Sequence, residues 1–166
     1  MHPVPTVKRT QVAFLQGIVV LIGIVILAFL LIEPNFEGRN VDATLWQVYF
    51  NDPFLAYAYL GSVALFVALY QAFTLLAYIG RGKVFSHGSV KALQTMKYCG
   101  VTLMAFIAGA EAYFVLVVRG TDDIAGGVMM GLIAMLLSAI LATAAAVFET
   151  LLRSAVAIKE EHDFTV

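Results

Sequence analysis

Four apolar runs, each about as long as a membrane is thick, limit what this chain can fold into. They are Val12–Ile32, Phe54–Ile79, Tyr98–Val118 and Ile124–Phe148. Crossing a hydrocarbon core of about 30 Å takes roughly 20 helical residues at about 1.5 Å of rise each. Charged residues make up 13% of the chain, against about a quarter in a soluble domain, and they cluster between the runs. The expected fold is all-α and integral to the membrane, a four-transmembrane-helix bundle forming a single domain over residues 1–166.

Local signals support the boundaries. Asn51-Asp52-Pro53 offers Asp52 as N-cap and Pro53 at the first helical position of the second span. Asp122 and Asp123 precede the fourth span, where acids suit the positive end of a helix. The first run follows Lys8 and Arg9 but is too long for the apolar part of a cleaved signal peptide and lacks a small-x-small site, so a retained helix is expected.

Lysine and arginine in short loops set orientation. The N-terminus carries Lys8 and Arg9, and the second loop region carries Arg81, Lys83, Lys91 and Lys97 without an acid. The first loop sets Arg39 against Glu33, Glu37, Asp42 and Asp52, and the third sets Arg119 against two aspartates. Both termini and the basic loop are therefore expected in the cytoplasm. In the outer loop, Trp46, Tyr49 and Phe50 fit an interfacial anchor, and a substrate lid is the sharper alternative.

Two helical extensions are expected on the cytoplasmic side. Ser86 can cap a helix that leads into the third span, with Val90, Leu93 and Met96 at helical spacing. The fourth span runs on through "FETLLRSAVAIKEEH", where Phe148, Leu151, Leu152, Ala155 and Ile158 form an apolar stripe. The basic loop and the tail acids Glu160, Glu161 and Asp163 are complementary in charge, which predicts a collar of two juxtamembrane helices with Lys91 or Lys97 facing those acids. Sequence supports a structural cap and a docking surface for a soluble partner equally.

Within the spans, Gln16, Gln71, Thr102 and Thr143 fall at matched depth, about 7–11 Å to the cytoplasmic side of the midplane at 1.5 Å per residue. Such residues usually bond across helices, at on the order of 0.6 kcal/mol each; a hydrophilic cavity is the alternative. Glu111 lies about 4–5 Å to the outer side by the same rise, with Tyr59 and Ser62 of the second span as depth neighbours. A carboxyl in hydrocarbon is costly when charged and favours its neutral form. It serves either as a packing contact or as a proton or cation site. Gly127 and Gly131, followed by Ser138, Ala142 and Ala146, suit close helix packing, inside the bundle or in a homo-oligomer.

Several chemistries lack their residues. Cys99 is the single cysteine, so no internal disulfide or paired-thiol relay is available. His2, His87 and His162 all lie outside the spans, which removes a buried pair of haem ligands. No HExxH, CxxC, phosphate loop or Ser/His/Asp constellation occurs, and no ligand spacing marks a metal centre. No catalytic residue, cofactor or direct contact with nucleic acid is expected.

The segment Gly82–Gly100, "GKVFSHGSVKALQTMKYCG", and the closing "LLRSAVAIKEEHDFTV" resemble the bacterial family known as domain of unknown function 2975. Gly82, Phe85 and Ser86 match its Gly-x-x-Phe-[Ser/Thr] lead into the third span. Lys159, Glu160, Glu161, Asp163 and Thr165 match its acidic tail, while His162, Phe164 and Val166 depart from the usual Asn, Leu and Ile. The resemblance implies a small four-span protein of the bacterial cytoplasmic (inner) membrane without an established activity. It also implies association with a small helix-turn-helix regulator, because such genes often adjoin. The expectation is a scaffold or regulator that binds a cytoplasmic protein through Phe85, Ser86, Lys91, Lys159, Glu160, Glu161 and Asp163. The rival expectation is a small carrier or proton-linked transporter built on Glu111, Tyr59 and Ser62.

Overall fold

The computed structural model describes residues 9–32, 34, 44, 46–47, 53–118 and 124–164, with side chains to 161 in the last helix. Helix α1 spans Arg9–Ile32, α2 Pro53–Gly80, α3 His87–Tyr113 and α4 Ala125–Phe164. A π-helical turn, Phe114–Val118, continues α3. All four helices are long and apolar enough to cross a membrane. Asp52, Tyr49, Phe50, Arg119, Asp122 and Asp123 lie outside the described residues.

The α2–α3 connection is fixed by its own hydrogen bonds. Gly82 N–H donates to the Ile79 carbonyl at 3.0 Å and Lys83 N–H to the Tyr78 carbonyl at 2.9 Å. This Schellman pattern closes α2. It needs a left-handed residue, and Gly82 supplies one at φ 67°. Ser86 then caps α3, accepting from Ser89 N–H. The Ser86 and Ser89 hydroxyls donate to the Lys83 carbonyl at 2.8 and 3.2 Å. Ser89 is fully enclosed as a result.

Helices pack mainly against their chain neighbours, most extensively α3 on α4 and least α1 on α2. At the α3–α4 contact a Cβ on Gly100 would lie 2.9 Å from Ala142 Cβ and 3.0 Å from the Ser138 carbonyl oxygen. Backbones approach this closely only where side chains are small, the usual means of association in lipid. Between α2 and α3, the Tyr57 and Phe106 rings lie tilted with centroids 5.0 Å apart, and Tyr57 donates to the Phe106 carbonyl at 2.8 Å. Across α1–α2, Gln16 Nε2 donates to the Phe73 carbonyl at 3.3 Å and Tyr59 Oη to the Leu30 carbonyl at 3.0 Å. Val12 is the buried residue of α1. Phe14, Leu21 and Phe29 on α1, and Met129, Met130 and Leu136 on α4, point outward. A surface this apolar is a lipid-facing one.

Candidate functional site

Past the membrane, the first turns of α3 and the last turns of α4 pack as a pair. Val90, Ala92 and Leu93 from α3 and Val156 from α4 are buried there. Helix α4 has 40 residues, about twice what a span requires, so its C-terminal half is free to form this collar. At its membrane edge Glu149 is buried at 6% exposure. It accepts from Lys97 Nζ at 2.6 Å and from Arg153 Nη2 at 2.7 Å. The Lys97 ammonium also lies 4.9 Å from the centroid of the Tyr98 ring. The Lys97 hydrogen bond holds the Glu149 carboxyl below the usual carboxylate range, against desolvation, with Arg153 adding to the effect. A buried carboxylate is tolerated when it is paired and hydrogen-bonded.

One turn of charge lies further out. His87 Nε2 and Glu160 Oε1 are 2.7 Å apart, both exposed. Between this pair and Arg153 runs an open groove of about 470 Å³, lined by Val90, Lys91, Gln94, Arg153, Val156 and Glu160. Lys91 makes no ion pair among the described residues. The cation–acid match expected between Lys91 or Lys97 and the tail acids is thus realised differently: Lys97 binds Glu149, and His87 binds Glu160. Lys97 sits about three turns along α3 from the helix start, level with the membrane edge rather than with the tail.

The residues expected to meet a partner are only partly available for one. Phe85, Lys91, Lys159, Glu160 and Glu161 are exposed. Ser86 is engaged in the cap. Asp163 has no described side chain.

Glu111 faces away from Tyr59 and Ser62, the depth neighbours expected for it. Tyr59 donates to Leu30, and Ser62 Oγ donates to the Tyr59 carbonyl at 2.7 Å; the Glu111 carboxyl accepts from neither. Successive residues turn by about 100° around a helix. Phe106, Gly109 and Tyr113 take the side toward α2, which carries Glu111 round to α4. There its Oε1 occupies the space a Cβ on Gly131 would need. Oε2 is buried and has no hydrogen-bond partner among the described residues. The matched-depth polar set is likewise dispersed. Gln16 bonds across to α2, Gln71 is half-buried, and Thr102 and Thr143 are exposed. Gly127 lies 3.8 Å from the Phe114 ring, measured from an added Cβ, and Gly131 lies against Glu111. Both therefore face α3 of the same chain.

The Lys97–Glu149–Arg153 cluster, in which Glu149 is the buried member, is not singled out by the sequence. Its local trace was the i,i+4 pair Glu149 and Arg153, next to the end of a span. The Glu111–Gly131 seat has no local trace at all.

The Gly82, Ser86 and Ser89 corner gives the Gly-x-x-Phe-Ser pattern a structural meaning. A profile described as "Protein of unknown function (DUF2975)" matches residues 41–166. The chain belongs to this family. It is also 38% identical over 160 residues to the "Uncharacterized membrane protein YoaS" of Bacillus subtilis (strain 168), covering 96% of this chain and 99% of that one. No solved structure matches. As a DUF2975 member it is a membrane protein with four candidate spans, and neither name assigns an activity. Within the family's lead motif, Gly82 and Ser86 build the α2–α3 corner, whereas Phe85 is left 57% exposed.

Proposed function

We propose that this chain is a non-enzymatic scaffold or regulator of the bacterial cytoplasmic membrane that holds a cytoplasmic protein on its collar. The supporting observation is the collar groove. It is a preformed two-helix surface whose Lys91 is exposed and unpaired among the described residues, and whose rim carries Glu160. The exposed Phe85 adds an apolar anchor beside it. By family resemblance the partner class is a small helix-turn-helix regulator. The test is co-expression with a small helix-turn-helix regulator of the class the family resemblance implies, followed by membrane fractionation. Retention on membranes is expected with the full chain and with Glu111→Gln. It is expected to fall with Lys91→Glu or when the chain stops at Ile158. Retention indifferent to both collar changes refutes this reading.

A second reading, a small carrier or proton-linked transporter, is favoured by Glu111 Oε2, which is buried without a hydrogen-bond partner among the described residues. It predicts a solute flux into vesicles that Glu111→Gln abolishes and tail removal does not.

A further inference from the structure

The two ends of the collar groove differ in charge. At the membrane end it is lined by Arg153 and Gln94, and at the far end by Glu160, which His87 Nε2 meets at 2.7 Å. Behind Arg153, Glu149 is shared with Lys97. Two cations on one carboxylate leave a net positive charge, and Arg153 presents it: its side chain is 63% exposed, against 26% for Lys97. Only its Nη2 donates to Glu149. The guanidinium carries five N–H donors in a fork that matches a phosphate. Gln94, half-buried on the facing helix, adds an amide donor. The exposed Lys91 stands about one turn farther out on α3.

Depth selects the anion. Glu149 and Tyr98 adjoin the cytoplasmic ends of the spans 124–148 and 98–118, and Arg153 and Gln94 lie four residues beyond them, about 6 Å at the helical rise. The headgroup layer is about 5–7 Å thick on each face of a bilayer, so both side chains stand at the level of the lipid phosphates. On α4 the Cα–Cβ bonds tilt toward the helix N-terminus, which turns Arg153 back toward the membrane. The Tyr98 ring, 58% exposed and 4.9 Å from the Lys97 ammonium, marks the same interface. A soluble anion would enter past Glu160, whereas a lipid phosphate arrives from the cationic end. Asp163, ten residues past Arg153 on α4, is about 15 Å farther out.

We propose that the membrane end of the collar groove is a binding site for the headgroup of an anionic phospholipid, its phosphodiester held between Arg153 and Gln94 and its negative charge facing Lys91. The lipid extends the collar's role beyond the partner reading and does not depend on it: Phe85 and the Glu160 rim lie at the other end.

The experiment is native mass spectrometry of the full chain in detergent micelles, titrated with phosphatidylglycerol and with phosphatidylcholine of the same acyl chains. One phosphatidylglycerol is expected to bind at least about tenfold more tightly than phosphatidylcholine. Arg153→Gln should weaken it about tenfold, as for loss of one charge-assisted hydrogen bond, and Gln94→Glu should do the same by setting an acid in the site. Lys83→Gln removes an exposed cation that does not line the groove and should change binding less than about twofold. If Arg153→Gln fails to fold, Gln94→Glu against Lys83→Gln still decides. Equal binding of the two lipids overturns the proposal, as does an equal loss in Lys83→Gln and Gln94→Glu, which would mean attraction to surface charge in general. Displacement of the lipid by millimolar inorganic phosphate, or binding of a soluble oligoglutamate in place of phosphatidylglycerol, would also overturn it in favour of a soluble anion or an acidic protein segment. Regulator retention on membranes is read separately. Lipid selectivity without retention sinks the partner reading alone, and retention without lipid selectivity sinks the lipid site alone.

Discussion

Replacing Lys97 with methionine isolates the electrostatic work done at the membrane edge. Methionine keeps the length and apolar stem of lysine but removes the cation 2.6 Å from Glu149 Oε2. Glu149 is 6% exposed, so its lost partner is not replaced cheaply by water. Removing one member of a buried pair typically costs about 3–5 kcal/mol. Arg153 remains at 2.7 Å, but its side chain is 63% exposed, and a solvent-facing partner contributes only about 0–1 kcal/mol. The expected loss is therefore near the lower bound, about 3 kcal/mol. The Lys97→Met/Glu149→Met double variant removes both charges together and should recover most of it, because apolar replacement of a buried pair is often neutral or stabilising. Equilibrium unfolding by SDS titration in mixed micelles would measure all three proteins. The Glu149 carboxyl is depressed in the folded state, principally by Lys97. Its contribution is therefore present above the unfolded value near 4.5 and is lost as pH falls through the lower folded value. The wild type should lose stability in that acid window and Lys97→Met should lose less. A single variant that costs under about 1 kcal/mol, or a double variant as unstable as the single, would refute the reasoning.

Other outcomes follow from the same geometry. Gly82→Ala places a Cβ at φ 67° and is expected to cost about 1–2 kcal/mol in the same unfolding assay. Ser86→Ala should cost about 1 kcal/mol through the lost cap, with amide exchange rising in the first turn of α3. Gly100→Val meets Ala142 Cβ and the Ser138 carbonyl and should cost about 1–3 kcal/mol through overpacking, with partial rescue by Ala142→Gly. His87→Ala removes an exposed pair and should change stability by less than about 1 kcal/mol, with the small effect vanishing in high salt.

The existence and class of the helices were legible from local composition. The expected spans 54–79 and 98–118 lie inside Pro53–Gly80 and the segment from His87 to Val118. Pro53 opens α2, and Ser86 caps α3 through the hydroxyl chemistry its position suggested. Those features depend on length, hydropathy and hydrogen bonds between residues a few positions apart, which a linear sequence displays directly. The extension of α4 beyond Phe148 was readable for the same reason, from an apolar stripe that continues into charged sequence.

Helix rotation was not readable. A helix that is apolar on every side has no marked face, so depth along the membrane can be reckoned while direction around the axis cannot. Tyr59 and Ser62 were at a suitable depth for Glu111, yet α3 turns that carboxyl to Gly131 of α4. Thr102 and Thr143 were at the depth of Gln16, yet they face outward. The pairs Lys97–Glu149 and His87–Glu160 join residues 52 and 73 positions apart. Their partners were decided by where Gly100 lets α3 and α4 meet. Sequence alone determined that this chain crosses a membrane on four helices with a charged collar at one end. Only the packed structure decided which charges the collar buries and which neighbour the lone intramembrane acid touches, because both depend on helix rotation and close approach.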